Sequence, residues 1–258
     1  MRAIKNTGTK AAVQKLGLLA CALLLAACGK QADKPADATA PQTEATAAAP
    51  VAAQRVVDQL MNSETIGMNL AYVEKLAGPA MRSEQHRHLF KVDGCELTLR
   101  TDDADKVVQA VEVAITPSCK VSLEPVLGSF AGTPPKQLHE LTMGQFEQML
   151  GGSYYADCLT MCGNAADPEV QLIAEGPRAL QFMEFALSVQ LVGDASLAAA
   201  DKWRDGMSKA ESEDYVLDTR FNCEPQRFRE LVSPAFAAIQ PSRFVFGNSL
   251  GFQNGECD

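Results

Sequence analysis

The ten residues "NLAYVEKLAG" at 69–78 return 73 positions later as "TMGQFEQMLG" at 142–151. A repeat constrains a fold more than any single motif, because each copy must build the same kind of unit. Asn69 aligns with Thr142, Val73 with Phe146, Glu74 with Glu147, Leu76 with Met149 and Gly78 with Gly151. The physical roles agree too. Asn69 and Thr142 are N-cap residue types, Thr142 with Gln145 fits a capping box, and the two glycines suit helix ends. At the same offset "ELTL" (96–99) meets "EVQL" (169–172); at an offset of 72 "VEVAI" (111–115) meets "MEFAL" (183–187), a slip that a one-residue insertion in a hairpin explains. Three matches in one order over one span point to duplication.

Each unit reads as helix and then strands. In the first, "AQRVVDQLMN" and residues 69–77 have helical patterning, and "RHLFKV", "CELTLRT", "KVVQAVEVAIT" and "CKVSLE" alternate as strands. "VDG" (92–94) and "TDDAD" (101–105) are turn chemistry. The expected fold class is α+β: two tandem repeats of short helices on an antiparallel sheet, over 55–125 and 136–192, plus a C-terminal helical extension over 193–258. In that extension "ASLAAADKWRDGMSKA" reads as a helix with Leu197, Trp203 and Met207 on its buried side. "EPQRFRELVSPAFAAIQ" repeats apolar residues from Phe228 to Ile239 at helical spacing, with Pro225 at its start and Pro234 as a kink, and "RFVFGNSLGF" reads as a short strand and turn.

The front of the chain carries an export signal. Arg2, Lys5, Lys10 and Lys15 precede a twelve-residue apolar run, Leu16 to Ala27, too short for a finished membrane span. Leu25-Ala26-Ala27-Cys28 resembles the lipobox of bacterial lipoproteins, which implies cleavage after residue 27 and lipidation of Cys28. Cys21 is a second candidate, but cutting there would leave "ALLLAA" exposed. Gly29 and Lys30 after the cysteine look like the pattern for sorting to the outer membrane of a Gram-negative host, on its periplasmic face. Residues 28–54 then form an Ala, Pro and Thr-rich tether without aromatic residues, spanning on the order of 30 Å as a flexible coil.

Loss of 1–27 lowers the 23 basic residues to 19 against 32 acidic ones, a net charge of 19 − 32 = −13. Such a surface disfavours nucleic acid and anionic lipid, and steers cationic proteins toward it. Six cysteines remain for an oxidising compartment: Cys95, Cys119, Cys158, Cys162, Cys223 and Cys257. Of the fifteen connectivities that six cysteines allow, the preferred one pairs Cys95 with Cys119 across one sheet, Cys158 with Cys162 around a tight loop, and Cys223 with Cys257 at the C-terminus.

Gly67-Met68-Asn69, Val73, Leu76, Ala77, Gly78 and Pro79 resemble the G-M-T-x-x-x-V-x-x-x-x-G-x-P helix signature of the β-lactamase inhibitor protein and of the small lipoprotein of the outer-membrane β-barrel assembly machinery. The resemblance covers roughly residues 54–192 and implies a binding scaffold whose sheet faces a protein.

Catalytic chemistry finds no foothold. His86 and His88, with Glu84 at the same parity, lack a nearby third histidine or cysteine, so exposed strand histidines are expected rather than a metal pair. "CLTMC" lacks metal-site spacing, "TDDADK" lacks the glycine of a calcium loop, and Ser153 lacks an assignable base. His139 reads as a surface or capping residue and Trp203 as core. No catalytic residue, metal or cofactor is assigned. The one candidate binding loop is the segment after the Cys158–Cys162 ring, with Asn164 and Asp167. Two function classes follow. One is a non-catalytic lipoprotein that binds an envelope protein through its sheet; the other is an acidic inhibitor or immunity protein capturing a cationic enzyme or toxin.

Overall fold

The helices at 70–77 and 143–150 both form between their expected caps. The computed structural model describes residues 54–128, 137–163, 168–250 and 257; Cys28, the signal, Asn164 and Asp167 lie outside the described residues. A short helix α1 (Val56–Leu60) precedes α2 (Leu70–Ala77), which opens where the Asn69 side chain accepts the Ala71 N–H at 2.9 Å and closes at Gly78 with φ +82°. The helix aligned with it in sequence, α4 (Met143–Leu150), has a reciprocal box: the Thr142 N–H donates to Gln145 Oε1 at 2.9 Å and the Gln145 N–H to Thr142 Oγ1 at 3.2 Å.

Eight strands form one sheet: β1 (Arg82–Glu84), β2 (Arg87–Val92), β3 (Cys95–Thr101), β4 (Val108–Ala114), β5 (Ser153–Ala156), β6 (Glu169–Glu175), β7 (Glu184–Gln190) and β8 (Arg243–Gly247). Their spatial order is β1-β2-β3-β4-β8-β7-β6-β5, and each neighbouring pair is antiparallel. Alternation along the strands selects one face for the core. On it lie Phe90, Leu97, Leu99, Val111, Val113, Phe244, Phe246, Phe185, Leu187, Leu172 and Tyr154, all buried together with Val57, Val73 and Phe146 from the helices. With α3 (Glu124–Leu127), α5 (Asp194–Ala210), α6 (Glu213–Leu217) and α7 (Arg229–Phe236), the described residues make a mixed α+β fold of seven helices on an antiparallel sheet.

Three expectations change. First, residues 193–258 are not only a helical extension. Their strand β8 lies at the centre of the sheet, with Val113 and Leu187 both opposite Phe244 and with Val111 and Phe185 both opposite Phe246. Seen from the helix-bearing face, the meanders β2-β3-β4 and β5-β6-β7 approach β8 from opposite edges with the same strand directions. They therefore have opposite hands, and no rotation superimposes them in the alignment of the sequence repeat.

Second, "CKVSLE" forms no strand. Cys119, Val121 and Leu123 are buried, but the segment is held by the Cys95–Cys119 disulfide and by the Leu138 N–H donating to Val121 O at 2.9 Å, without a ladder. That disulfide thus ties β3 to a loop rather than strand to strand. Third, Leu197 is 43% exposed, because the face of α5 that packs inward carries Ala199, Ala200, Trp203 and Met207. Helix α7 begins at Arg229, beyond Pro225, and contains Pro234. Trp203 is buried edge-on against Phe221, with ring centroids 5.0 Å apart.

The other disulfides are Cys158–Cys162 and Cys223–Cys257, the pairs read from the sequence. Next to Cys223, the Asn222 side chain caps the β5 edge: its Nδ2 donates to Ala156 O at 2.7 Å and its Oδ1 accepts the Ala156 N–H at 3.1 Å. No helix among the described residues is long and apolar enough to cross a membrane.

The β4–β8 seam is tight at Gly247. Its φ is +154°, and a Cβ there would sit 2.3 Å from Gln109 O and 2.5 Å from Ala110 Cα, all backbone that cannot swing away. Gly247→Ala is expected to cost at least about 2 kcal/mol, read as a lower urea midpoint. Gly193→Ala, whose Cβ would meet only Ser196 Oγ at 3.8 Å, is the control and should cost about 1 kcal/mol or less, the loss of a good N-cap of α5 without a clash.

Candidate functional site

The residues between the core positions project from the other sheet face, on which no helix of the described residues packs. The ladder aligns them in rows. Leu89, Thr98, Glu112, Val245, Ala186, Ile173 and Ser153 form one, and Ala114, Arg243, Ser188, Gln171 and Tyr155 a second. At the centre Ala110, Ala186 and Leu250 make a small apolar cluster with Val245 and Ile173 against it, separate from the main core. The chain leaving β8 covers that cluster with Leu250, whose N–H donates to the Glu184 carboxylate.

Around the apolar centre the charges are interlocked. Arg87 Nη2 meets Glu112 Oε2 at 2.9 Å, Arg243 Nε lies 3.7 Å from Glu112 Oε1, and Arg243 Nη2 pairs closely with Glu169. Glu112 and Glu169 are only 15% and 13% exposed, so these pairs lie partly out of water, where they fix side-chain positions more firmly than surface pairs do. Arg100 stands across the ladder from Arg87, half-buried. Burial and the Arg87 charge push its pKa below the usual guanidinium value.

The histidines are arranged otherwise than expected. Strands β1 and β2 are joined by a two-residue turn, Gln85-His86, with φ of +47° and +62°, so His86 lies in a hairpin turn rather than on a strand. His88 is buried, not exposed, with Nδ1 2.9 Å from Ser83 Oγ. Both rings converge on Asp105 Oδ1, His86 Nδ1 at 2.9 Å and His88 Nε2 at 3.2 Å, while the Thr101 hydroxyl donates to the same oxygen at 2.8 Å. The acidic turn is thus hydrogen-bonded inward: Asp102 Oδ1 also accepts the Lys106 and Val107 N–H groups. Hydrogen bonds from His86, Thr101 and His88 hold the Asp105 carboxyl down at about 2, and the bond to Asp105 raises His86.

Among the described residues no group of three His, Cys, Asp or Glu side chains could hold a metal ion. Ser153 Oγ accepts a bond from Gln226 Nε2 at 2.6 Å and has no histidine beside it. His139 lies in the 3-10 turn Leu138–Glu140 with its Nδ1 buried and unpartnered, rather than on the surface or in a cap. The ring Cys158–Cys162 is closed, while Asn164 and Asp167 of the candidate loop lie outside the described residues.

The arginines and glutamates of the open face were not singled out in the sequence. Their signal is the polar half of the alternation in "RHLFKV", "CELTLRT" and "EVQL", which marks an outward face but not which charges meet. Compared with known proteins, the chain matches no family model, no curated protein and no solved structure.

The Asp105 cluster makes a pH prediction with a definite sign. Asp105 is depressed, so its contribution to stability is full above its ordinary value of 3.8 and is lost as pH falls toward 2. His86 is raised, so its contribution is full below 6.5 and is lost as pH rises through its folded value. In Asp105→Asn the His86 ring, followed by NMR, is expected to titrate lower than in the parent; an unchanged titration would refute the pairing.

Proposed function

We propose that the chain is a non-catalytic lipoprotein, anchored through Cys28 to the periplasmic face of a Gram-negative outer membrane, that binds another envelope protein through the helix-free face of its sheet. The observation that carries the reading is that no helix among the described residues covers this face, yet its charged side chains are held by mutual ion pairs. Side chains already fixed lose little entropy when a partner arrives. The lipobox-like Leu25-Ala26-Ala27-Cys28 and the polar tether to residue 54 support the anchor. Two sequence copies, 55–125 and 136–192, with 193–258 supplying the joining strand, belong to the same reading; the opposite hands of the meanders require a rearranged strand order in one copy.

The net charge of −13 after processing favours a second reading, an acidic inhibitor or immunity protein that captures a cationic periplasm-acting enzyme or toxin. Salt separates the two, since steering between exposed charges is screened beyond roughly 10 Å at 0.1 M.

The test is a pull-down from envelope extract and culture supernatant with lipid-free protein beginning at Gly29, washed at low and then high salt. An envelope protein that survives the salt wash and is lost when Glu112 and Arg243 are both replaced by Ala is the expected result. A basic enzyme released by salt and inhibited by the added protein would favour capture. Cys28→Ser should move the full-length chain from the membrane to the soluble fraction; retention in the membrane would overturn the anchor.

A further inference from the structure

Among the described residues, the open face leaves the Arg100 guanidinium unmatched. Arg87 and Arg243 share Glu112, Arg243 also holds Glu169, and the Glu184 carboxylate takes the Leu250 N–H. The Arg100 guanidinium makes no hydrogen bond or ion pair among the described residues, although it is half-buried and feels Glu112 and Glu184 at longer range. A guanidinium withdrawn from water without a partner costs stability unless an anion completes it. Two cavities, of about 160 and 230 Å³, share Arg87 and Arg100 in their walls. The first also has Ser188 and Gln171 as polar wall and Ala186, Val245 and Leu250 as apolar wall.

We propose that this pocket is a carboxylate site: Arg100 receives a monocarboxylate in the planar two-point geometry of a guanidinium, and a short apolar arm lies against Ala186, Val245 and Leu250. The neighbouring Glu112, Glu169 and Glu184 select a single negative charge, since they repel a dianion such as phosphate. The carboxylate comes from a free small acid or from the end of a peptide. The inference assigns a ligand chemistry to one point on the face and holds whether or not a protein docks across it.

The protein beginning at Gly29, labelled with ¹⁵N-arginine, is titrated with sodium propionate, with sodium chloride and sodium phosphate at matched ionic strength as references. The Arg100 Nε–H signal, assigned by its disappearance in Arg100→Lys, is expected to shift and saturate at a propionate concentration about tenfold below that needed with either reference anion. The signal of Arg82, exposed on β1, should not follow it. N-acetyl-alanyl-alanine and its C-terminal amide then identify the source. Saturation by the peptide acid and not the amide marks a peptide end, and saturation by propionate alone marks a free acid. The proposal is overturned if chloride or phosphate moves Arg100 as readily as propionate, or if no carboxylate gives a saturable shift. Because the titration reads the unsubstituted protein, an unstable variant does not obscure the result, and Arg100 can also be assigned through its backbone.

Discussion

One strand joins the two halves of this sheet. Through β8, five residues long, β4 on one side and β7 on the other are hydrogen-bonded into a single layer. Phe244 and Phe246 put two fully buried rings into the core at that seam, each contributing about 2–3 kcal/mol of burial. The backbone approach at Gly247 leaves no room for a side chain. The helical passage from α5 to α7, which separates β7 from β8 in sequence, is what lets a strand near the end of the chain enter the middle of the sheet. Non-local pairing of this kind carries a loop-closure cost that grows with the length of the intervening chain and slows folding.

Local chemistry was legible and long-range assembly was not. The caps at Asn69 and Thr142, the glycines that end both helices, the Asp93-Gly94 hairpin turn and the alternation of β2 and β3 are decided by neighbours a few residues apart, and all form as read. "CKVSLE" has strand alternation, but a disulfide and scattered hydrogen bonds, among them Leu138 N–H to Val121 O, hold it instead of a neighbouring strand. The same limit explains β8: "RFVFG" reads as a strand, but nothing in its spacing says that it belongs between β4 and β7. His88 looked exposed because the strand register that turns it toward Thr101 and Asp105 depends on partners 13 and 17 residues away.

The open face is also a product of that assembly. Arg87 and Glu112 come from the first half, Glu169 from the second, and Arg243 from the strand between them, so the charge lattice exists only once all three parts are in register. The apolar cluster beneath Leu250 is built the same way, from Ala110 of β4 and Ala186 of β7 on either side of β8. The surface is thus complete only in the assembled sheet, and the guanidinium of Arg100 is set among these charges by the same register.

The Asn222 side chain meets the backbone of Ala156 with one donor and one acceptor, as a further strand would. An edge strand with free amides and carbonyls is a template for growth by accretion of other chains. Beside that clamp, Gln226 donates to the Ser153 hydroxyl and the Arg229 guanidinium reaches Gly152 O, so side chains of the same molecule line the β5 border. The opposite border ends in three exposed residues, Arg82 to Glu84, too short and too charged to recruit a partner strand. A side-chain clamp at one border and a short charged strand at the other leave little free strand for a second molecule to extend, so copies brought close together can meet at these borders without polymerising.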